Sequence, residues 1–450
     1  MTDPTHTQTR PPGLGRRGFL GALGAAAAGV AAGPTLAGPA AAATAPSGGR
    51  PVRTGAQELI SSGYDVLRGQ KVGIVTNPTG VLPDLTHEVD VMAASNQVDL
   101  VAVFGPEHGF RGTAQAGGSE GSYVDERTGL TVWDTYLKSG DALADIVRRS
   151  GVDTMVFDIQ DAGARFYTYI WTMYDCMVAA AVTGKRFVVL DRPNPTTGRA
   201  PRGPVLDRAF ATFVGRREIC QQHAMTVGEL ALLFAAEYLP DETDQPLKVD
   251  VVRMRGWDRR QAYADTGLPW VLPSPNMPTP DTALVYPGTC MFEGTNLSEG
   301  RGTTRPFELV GAPYLDERWA QELRDQKHPG VLIREAYFTP TFSKHVNKSC
   351  AGVQLQVTDP STFDALRTGT AMIVAAKRIY GSDFAWRSDN WIDKLTGSTR
   401  FRTMVDAGAS TNEVVAAWQD ELAAFDSRRR EHLLYGPYGG GLAGSSPSAT

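Results

Sequence analysis

Thr154-Met155-Val156-Phe157-Asp158-Ile159-Gln160-Asp161 sets a short β-prone run directly against a polar, acid-bearing cluster. The same grammar occurs twice more. Val101-Ala102-Val103-Phe104 runs into Gly105-Pro106-Glu107-His108-Gly109, and Phe187-Val188-Val189-Leu190 into Asp191-Arg192-Pro193-Asn194. Continuous apolar runs of this length suit strands buried on both faces, as in a parallel sheet. Such strands have no packing use for carboxylates at their ends, because an unpaired buried charge is costly. Ligands of open α/β sheets bind outside the carboxyl ends of the strands. The three clusters are therefore expected to converge on one cleft.

The flanking chain supplies the crossovers. Helix-like Gly55–Leu67 leads to a strand at Lys71–Val75 and a polar loop at Thr76–Gly80. Helical patterns follow near Glu88–Ser95, at Asp141–Arg149 and at Phe166–Thr183, and Thr226–Tyr238 starts with Thr226 and Glu229 at capping-box spacing. Leu247–Met254 reads as one more strand. This β-α-β spacing predicts a Rossmann-like α/β domain with parallel strands over residues 53–268. Residues 269–313 are rich in Pro, Gly, Thr and Asn with little periodicity, and a loop of that length usually carries function. Strands at Val331–Phe338 and Gly352–Val357, with helices at Thr362–Tyr380 and Thr411–Arg430, predict a smaller α+β domain over 269–437. The tail 438–450 is Gly/Ser-rich.

Composition narrows the function. A formal net charge of -5 leaves no basic footprint for nucleic acid, and nothing suggests docking on an anionic membrane. Residues 1–45 read as an export signal: Arg16-Arg17 precede an Ala/Gly-rich apolar stretch, and small residues follow at 40–45. Cleavage is expected between Ala42 and Pro46, with 46–52 as a linker, and an extracellular or wall-associated product with no stable membrane anchor. The four cysteines, at 176, 220, 290 and 350, hold no CxxC spacing. Cys290 with Cys350 is the disulfide to test first, against four buried free thiols.

No GxGxxG follows the first strand, and GxxxxGK[ST], GxSxG and HExxH are absent. Carboxylates, amides, Arg and aromatics remain. Glu107, framed by Gly105 and Gly109, is the leading candidate for a general acid, against an exposed turn residue or an ion pair with Arg111. Asp158 and Asp161 bracket Gln160 and are candidate supporting carboxylates, although one of them would also suit the N-cap of the following helix. Arg165, Tyr167 and Tyr169 beside these acids suit a hydroxyl-rich or anionic ligand. Asp191, Arg192 and Asn194 offer charge and amide groups, or an Asp–Arg pair that holds the loop. His108 and His223 are further candidates. In the long loop, Glu293, Asn296, Glu299 and Arg301 are expected to form the other wall. No metal or cofactor is called for.

These motifs carry a resemblance. Phe104–Gly112, Phe157–Asp161, Gly163–Tyr169, Leu190–Pro195 and Glu293–Pro306 closely resemble the exo-β-N-acetylmuramidases, a glycoside hydrolase family long catalogued as a domain of unknown function. The likeness runs from about Gly55 to Tyr435. It implies a Rossmann-like catalytic domain, a smaller C-terminal domain and a cleft between them. It further implies release of N-acetylmuramic acid from the non-reducing ends of peptidoglycan fragments, with Glu107 at the place of the presumed catalytic glutamate. The chain departs at Ala224, where Gly is expected after His223. For such a substrate, Arg165, Arg192, Arg301 and Arg305 are candidates for the lactyl carboxylate, and Tyr167, Tyr169 and Trp270 for the sugar face. A second catalytic carboxylate is sought first in Asp158 and Asp161, then in Glu293 and Glu299. The rival readings are a non-catalytic peptidoglycan-binding protein and a metal-dependent phosphatase or esterase.

Overall fold

The computed structural model describes residues 51–115 and 117–436. The export signal, most of the linker and the Gly/Ser tail lie outside the described residues. Among the described residues twelve strands follow in chain order: β1 Lys71–Thr76, β2 Asp99–Gly105, β3 Tyr123–Val124, β4 Thr131–Asp134, β5 Thr154–Asp158, β6 Arg186–Leu190, β7 Arg202–Val205, β8 Cys220–Gln222, β9 Val249–Val252, β10 Leu309–Ala312, β11 Val331–Phe338 and β12 Cys350–Val357.

Seven of them form one sheet in the order β3-β4-β2-β1-β5-β6-β9. All neighbours run parallel except the edge pair β3–β4. Every residue of β5 is buried, as a central strand covered on both faces requires. From β1 the chain adds β2 and β4 on one side, then β5, β6 and β9 on the other. The β1/β5 boundary is therefore the switch point at which such sheets open a crevice. β7 and β8 form a two-stranded ribbon, and β10-β12-β11 form an antiparallel sheet. This is the α/β architecture with a second, smaller sheet that the periodicity predicts.

Three local expectations are corrected. The helix expected from Phe166 spans Tyr169–Val182, and its N-cap Thr168 makes no side-chain cap, so neither Asp158 nor Asp161 caps it. The aperiodic stretch 269–313 contains a helix, Pro280–Thr289, with Thr279 accepting from the Thr282 N–H and Pro280 in the first turn. Residues 282–289 of that helix are all buried, so no polar face marks its period. The segment 411–430 is two helices, Thr411–Ala416 and Gln419–Arg430. The capping box of Thr226 and Glu229 is present as predicted, on the helix Val227–Glu237. Cys176, Cys220, Cys290 and Cys350 are all buried free thiols, so no disulfide joins Cys290 to Cys350. Among the described residues no helix is long and apolar enough to cross a membrane.

The departure at Ala224 has a conformational meaning. Its φ is +54°, and its carbonyl accepts from the Arg429 guanidinium at 3.0 Å. A Cβ in the left-handed region costs about 1–2 kcal/mol, partly offset because glycine loosens the unfolded chain. Ala224→Gly is expected to raise stability by about 0.5–1 kcal/mol, read as a higher urea midpoint at unchanged slope. An unchanged or lower midpoint would show that the loop bears no strain.

Candidate active site

Two sequence-distant stretches of the chain line a cavity of about 290 Å³. Glu107, His108, Tyr136, Tyr167, Thr168 and Tyr169 come from one stretch of the chain; Ser274, Asn276, Tyr286, Glu293 and Arg301 come from the other. The volume lies near the lower end for small-ligand clefts, ~300 Å³.

Glu107 is presented by a tight turn after β2. The Gly109 N–H donates to the Pro106 carbonyl, and Gly109 has φ +86°, where an added Cβ would collide with Glu120. His108 also has positive φ; its ring Nδ1 lies 3.0 Å from the Ala114 carbonyl and its N–H donates to Gly118. With His108 anchored to its own loop, Glu107 is left facing the cavity. Its Oε1 accepts from the Gly117 N–H at 2.8 Å, and its Oε2 from the Thr168 hydroxyl at 2.7 Å. Burial, and then the charge of Glu107, push the Tyr136 hydroxyl up to about 12. Arg111 does not pair with Glu107. It binds Asp90 and Asp125 instead.

The second stretch carries an ion-pair chain. Arg301 donates to Glu293 at 2.7 Å and sits 3.3 Å from Glu299, with its guanidinium over the Phe307 ring. Burial works against the Arg301 charge, but Glu293 and Glu299 outweigh it and raise its pKa. Lys344 closes the chain: its Nζ donates to Glu299 at 2.9 Å and to the carbonyls of Phe292 and Leu297. Asn296 does not line the cavity. Its side chain binds Asp383 and Tyr314, and its backbone carbonyl meets the His345 ring. Arg305 pairs with Glu308, and the Trp270 indole donates to the Met277 carbonyl.

The other strand-end acids face inward. Asp158 is fully buried and takes both arms of Arg192, with Nη2–Oδ2 at 2.9 Å. Glu88 lies beside this pair and accepts from Thr76. Burial first, and Asp158's charge second, push the Glu88 carboxyl well above the usual range. The sheet's switch point is thus plugged by an internal cluster, which takes Asp158 and Arg192 out of the cavity. The expected Asp191–Arg192 side-chain pair does not form. Asp191 accepts from Tyr435, Thr226 and the Gly228 and Arg192 N–H groups, tying β6 to the helix Val227–Glu237 and to the end of the fold. Burial, outweighing these donors, pushes it up to about 7.

Gln160 donates to the Asp161 and Pro193 carbonyls, and Asn194 to the Met225 carbonyl; both brace loops rather than line the cavity. Arg165 is fully buried, donates to the Leu395 carbonyl at 2.6 Å, and is pushed down to about 10 by burial. Asp161 holds His223 Nε2 at 3.1 Å and the Gly163 N–H at 2.7 Å. Tyr169 lines the cavity and donates to the Pro273 carbonyl. The structure therefore gathers Glu107, His108, Tyr167, Tyr169, Glu293 and Arg301 around one space. Sequence reading missed Tyr136, Ser274, Asn276, Tyr286, Phe307, Trp391 and the clamp Lys344. The Pro273–Pro278 loop was the available signal for Ser274 and Asn276.

Glu107 and Glu293 line one sugar-sized cavity, and a pair of carboxyls at one cleft is the equipment of glycoside hydrolysis, the class to which its relatives assign the chain. Residues 72–281 match the description "Exo-beta-N-acetylmuramidase NamZ, N-terminal", and residues 284–435 its C-terminal counterpart. The chain is 45% identical over 385 residues to the peptidoglycan beta-N-acetylmuramidase NamZ of Bacillus subtilis strain 168, covering 85% of this chain and 91% of that protein. Two crystal structures of DUF1343-family proteins from Bacteroides fragilis are also similar. One superposes with a TM-score of 0.77 at 31% identity, over 86% of this chain and 99% of the other. The second gives a TM-score of 0.67 at 30% identity, over 85% and 99%. The chain belongs to the exo-β-N-acetylmuramidase NamZ family.

Proposed function

We propose that this protein releases N-acetylmuramic acid from the non-reducing ends of peptidoglycan-derived muramyl saccharides, with Glu107 as general acid. The observation that carries the reading is the placement of Glu107: its two oxygens are held by Gly117 and Thr168, and it lines the same cavity as Glu293 and Arg301. The Thr168 hydroxyl can donate to the ionised carboxyl or accept from the protonated one, so it steadies Glu107 through a proton cycle. Protonation of the leaving oxygen by Glu107 requires a second group to stabilise or attack the anomeric carbon, or to activate water. Glu293, although paired with Arg301, lines the cavity with its side chain 22% exposed, and fits that role better than Asp158, which is fully buried against Arg192 away from the cavity. Arg301 lines the cavity as a guanidinium suited to the lactyl carboxylate. The residue 53–268 portion supplies Glu107 and the 269–437 portion supplies Glu293 and Arg301. Export by the twin-arginine route to the wall or medium rests on the Arg16-Arg17 segment alone.

The test is hydrolysis by the purified protein of a chromogenic N-acetylmuramide and of a muramyl-glucosamine disaccharide. Release of N-acetylmuramic acid from both is expected. No turnover of either would sink the reading.

A further inference from the structure

Phe213 is a large apolar side chain left 40% exposed in a tight turn. The Thr212 N–H donates to the Gly215 carbonyl at 2.9 Å and the Gly215 N–H donates to the Thr212 carbonyl at 3.1 Å, so Phe213 and Val214 form the tip. Val214 is buried, and a Cβ on Gly215 would strike the buried Arg165 guanidinium, so the turn is seated on the protein while Phe213 stays open to solvent. Its ring meets Trp391, with centroids 5.9 Å apart and planes tilted by 37°. Trp391 starts the helix Trp391–Thr396, which is held to the Glu293 turn: the Arg387 N–H donates to the Gly294 carbonyl at 2.9 Å, and Gly294 packs too closely on Ile392 to carry a Cβ. The Arg387 guanidinium lies over the Trp391 ring. Phe213 and Trp391 both line the cavity that holds Glu107 and Glu293.

A lone exposed apolar side chain on a surface needs no explanation. This one lines the cavity and is braced by a second aromatic from a sequence-distant segment. Burial orders the lining from floor to mouth. Phe166, Tyr169, Met277 and Phe307 are at most 3% exposed and belong to the closed end; Glu107 is partly exposed; Phe213 stands at the open end. An exo-acting enzyme takes the terminal sugar into the closed end. The oxygen that Glu107 protonates then lies between floor and mouth, and the sugar on its far side lies toward the mouth. A pyranose offers an apolar C–H face beside its polar edge, and the electron-rich face of an aromatic ring is complementary to it. We propose that the Phe213 ring, backed by Trp391, is the platform on which the glucosamine ring of the leaving group packs. This rests on the muramidase reading and deepens it, making Phe213 a specificity-determining residue for the leaving group, distinct from Glu107.

Two substrates isolate the claim: the muramyl-glucosamine disaccharide, and N-acetyl-β-muramyl fluoride, whose leaving group has no ring to pack. Wild type is expected to hydrolyse both. Phe213→Ala should raise KM for the disaccharide about tenfold with kcat changed less than about threefold, because the stack is made before and during the reaction alike. On the fluoride, kcat/KM should stay within about twofold of wild type, since the variant loses only leaving-group binding. The thermal midpoint is expected to hold, Phe213 being exposed. Phe213→Trp should bring the disaccharide KM back toward wild type, which a role confined to shaping the turn would not do. An unchanged disaccharide KM in Phe213→Ala, equal losses on the two substrates, or a Phe213→Trp variant no better than Phe213→Ala would overturn the assignment while leaving the muramidase reading standing. If wild type cleaves neither substrate, the muramidase reading itself falls and takes this inference with it.

Discussion

Glu107→Gln is expected to lower turnover of a muramyl disaccharide by about 10³-fold, within the range for loss of a general acid. The substitution is close to isosteric. The amide oxygen can still accept from the Gly117 N–H, and the amide NH2 can donate to Thr168 where the carboxylate accepted from it. The thermal midpoint should therefore stay near wild type, and the loss be one of chemistry. The leaving group sharpens the test. A sugar alkoxide cannot depart without a proton, whereas a nitrophenolate can. The variant should retain far more activity on the nitrophenyl muramide than on the disaccharide. Steady-state kcat on the two substrates reads this directly. An equal loss on both would remove Glu107 from the role of acid and leave it the stabilising or attacking carboxylate.

Glu107 was legible in the sequence because its frame is local. A buried parallel strand announces itself as an apolar run, and Gly105 and Gly109 mark a turn that needs small residues. The limits are equally physical. Asp158 and Asp191 end their strands in the same way as the Glu107 strand, yet both are consumed inside the protein. Whether a strand-end acid faces a ligand or a neighbouring arginine depends on the adjacent strand. β5 and β6 lie side by side, which brings Arg192 onto Asp158 rather than onto Asp191 beside it in sequence. The second lining stretch was readable as a polar loop but not as a wired one. The clamp from Lys344 to Glu299 spans 45 residues, and its two carbonyl partners carry no sequence signature. The helix Pro280–Thr289 was hidden for a related reason: a helix buried all round has no polar face to give it a period.

Asp158→Ala is the second substitution with a large expected effect, and its effect is on folding. It leaves the Arg192 guanidinium buried without its bidentate carboxylate. Breaking one side of a buried pair costs about 3–5 kcal/mol. Glu88 sets where in that range the variant falls. In wild type, burial and the Asp158 charge hold Glu88 well above the ordinary carboxyl range. Removing Asp158 lifts the second of these influences, so Glu88 can ionise toward Arg192 and recover part of the loss. The double variant Asp158→Ala with Glu88→Gln has no such rescue and should be the less stable of the two.

The single variant Glu88→Gln tests the same cluster with the opposite sign. Because the folded pKa of Glu88 lies above its unfolded value, the stability this group contributes is fully present below the unfolded pKa, about 4.5. It is lost as pH rises through the folded pKa. A glutamine does not titrate, can accept from Thr76 as the carboxyl oxygen does, and can donate toward Asp158. Relative to wild type, Glu88→Gln should therefore gain stability between pH 5 and pH 8. Urea unfolding of the three variants at those two pH values decides the matter. If Asp158→Ala unfolds at the wild-type midpoint but has lost turnover on both glycosides, Asp158 belongs to the chemistry rather than to the fold. If Glu88→Gln shows the wild-type pH slope, Glu88 is not the group whose raised pKa sets it.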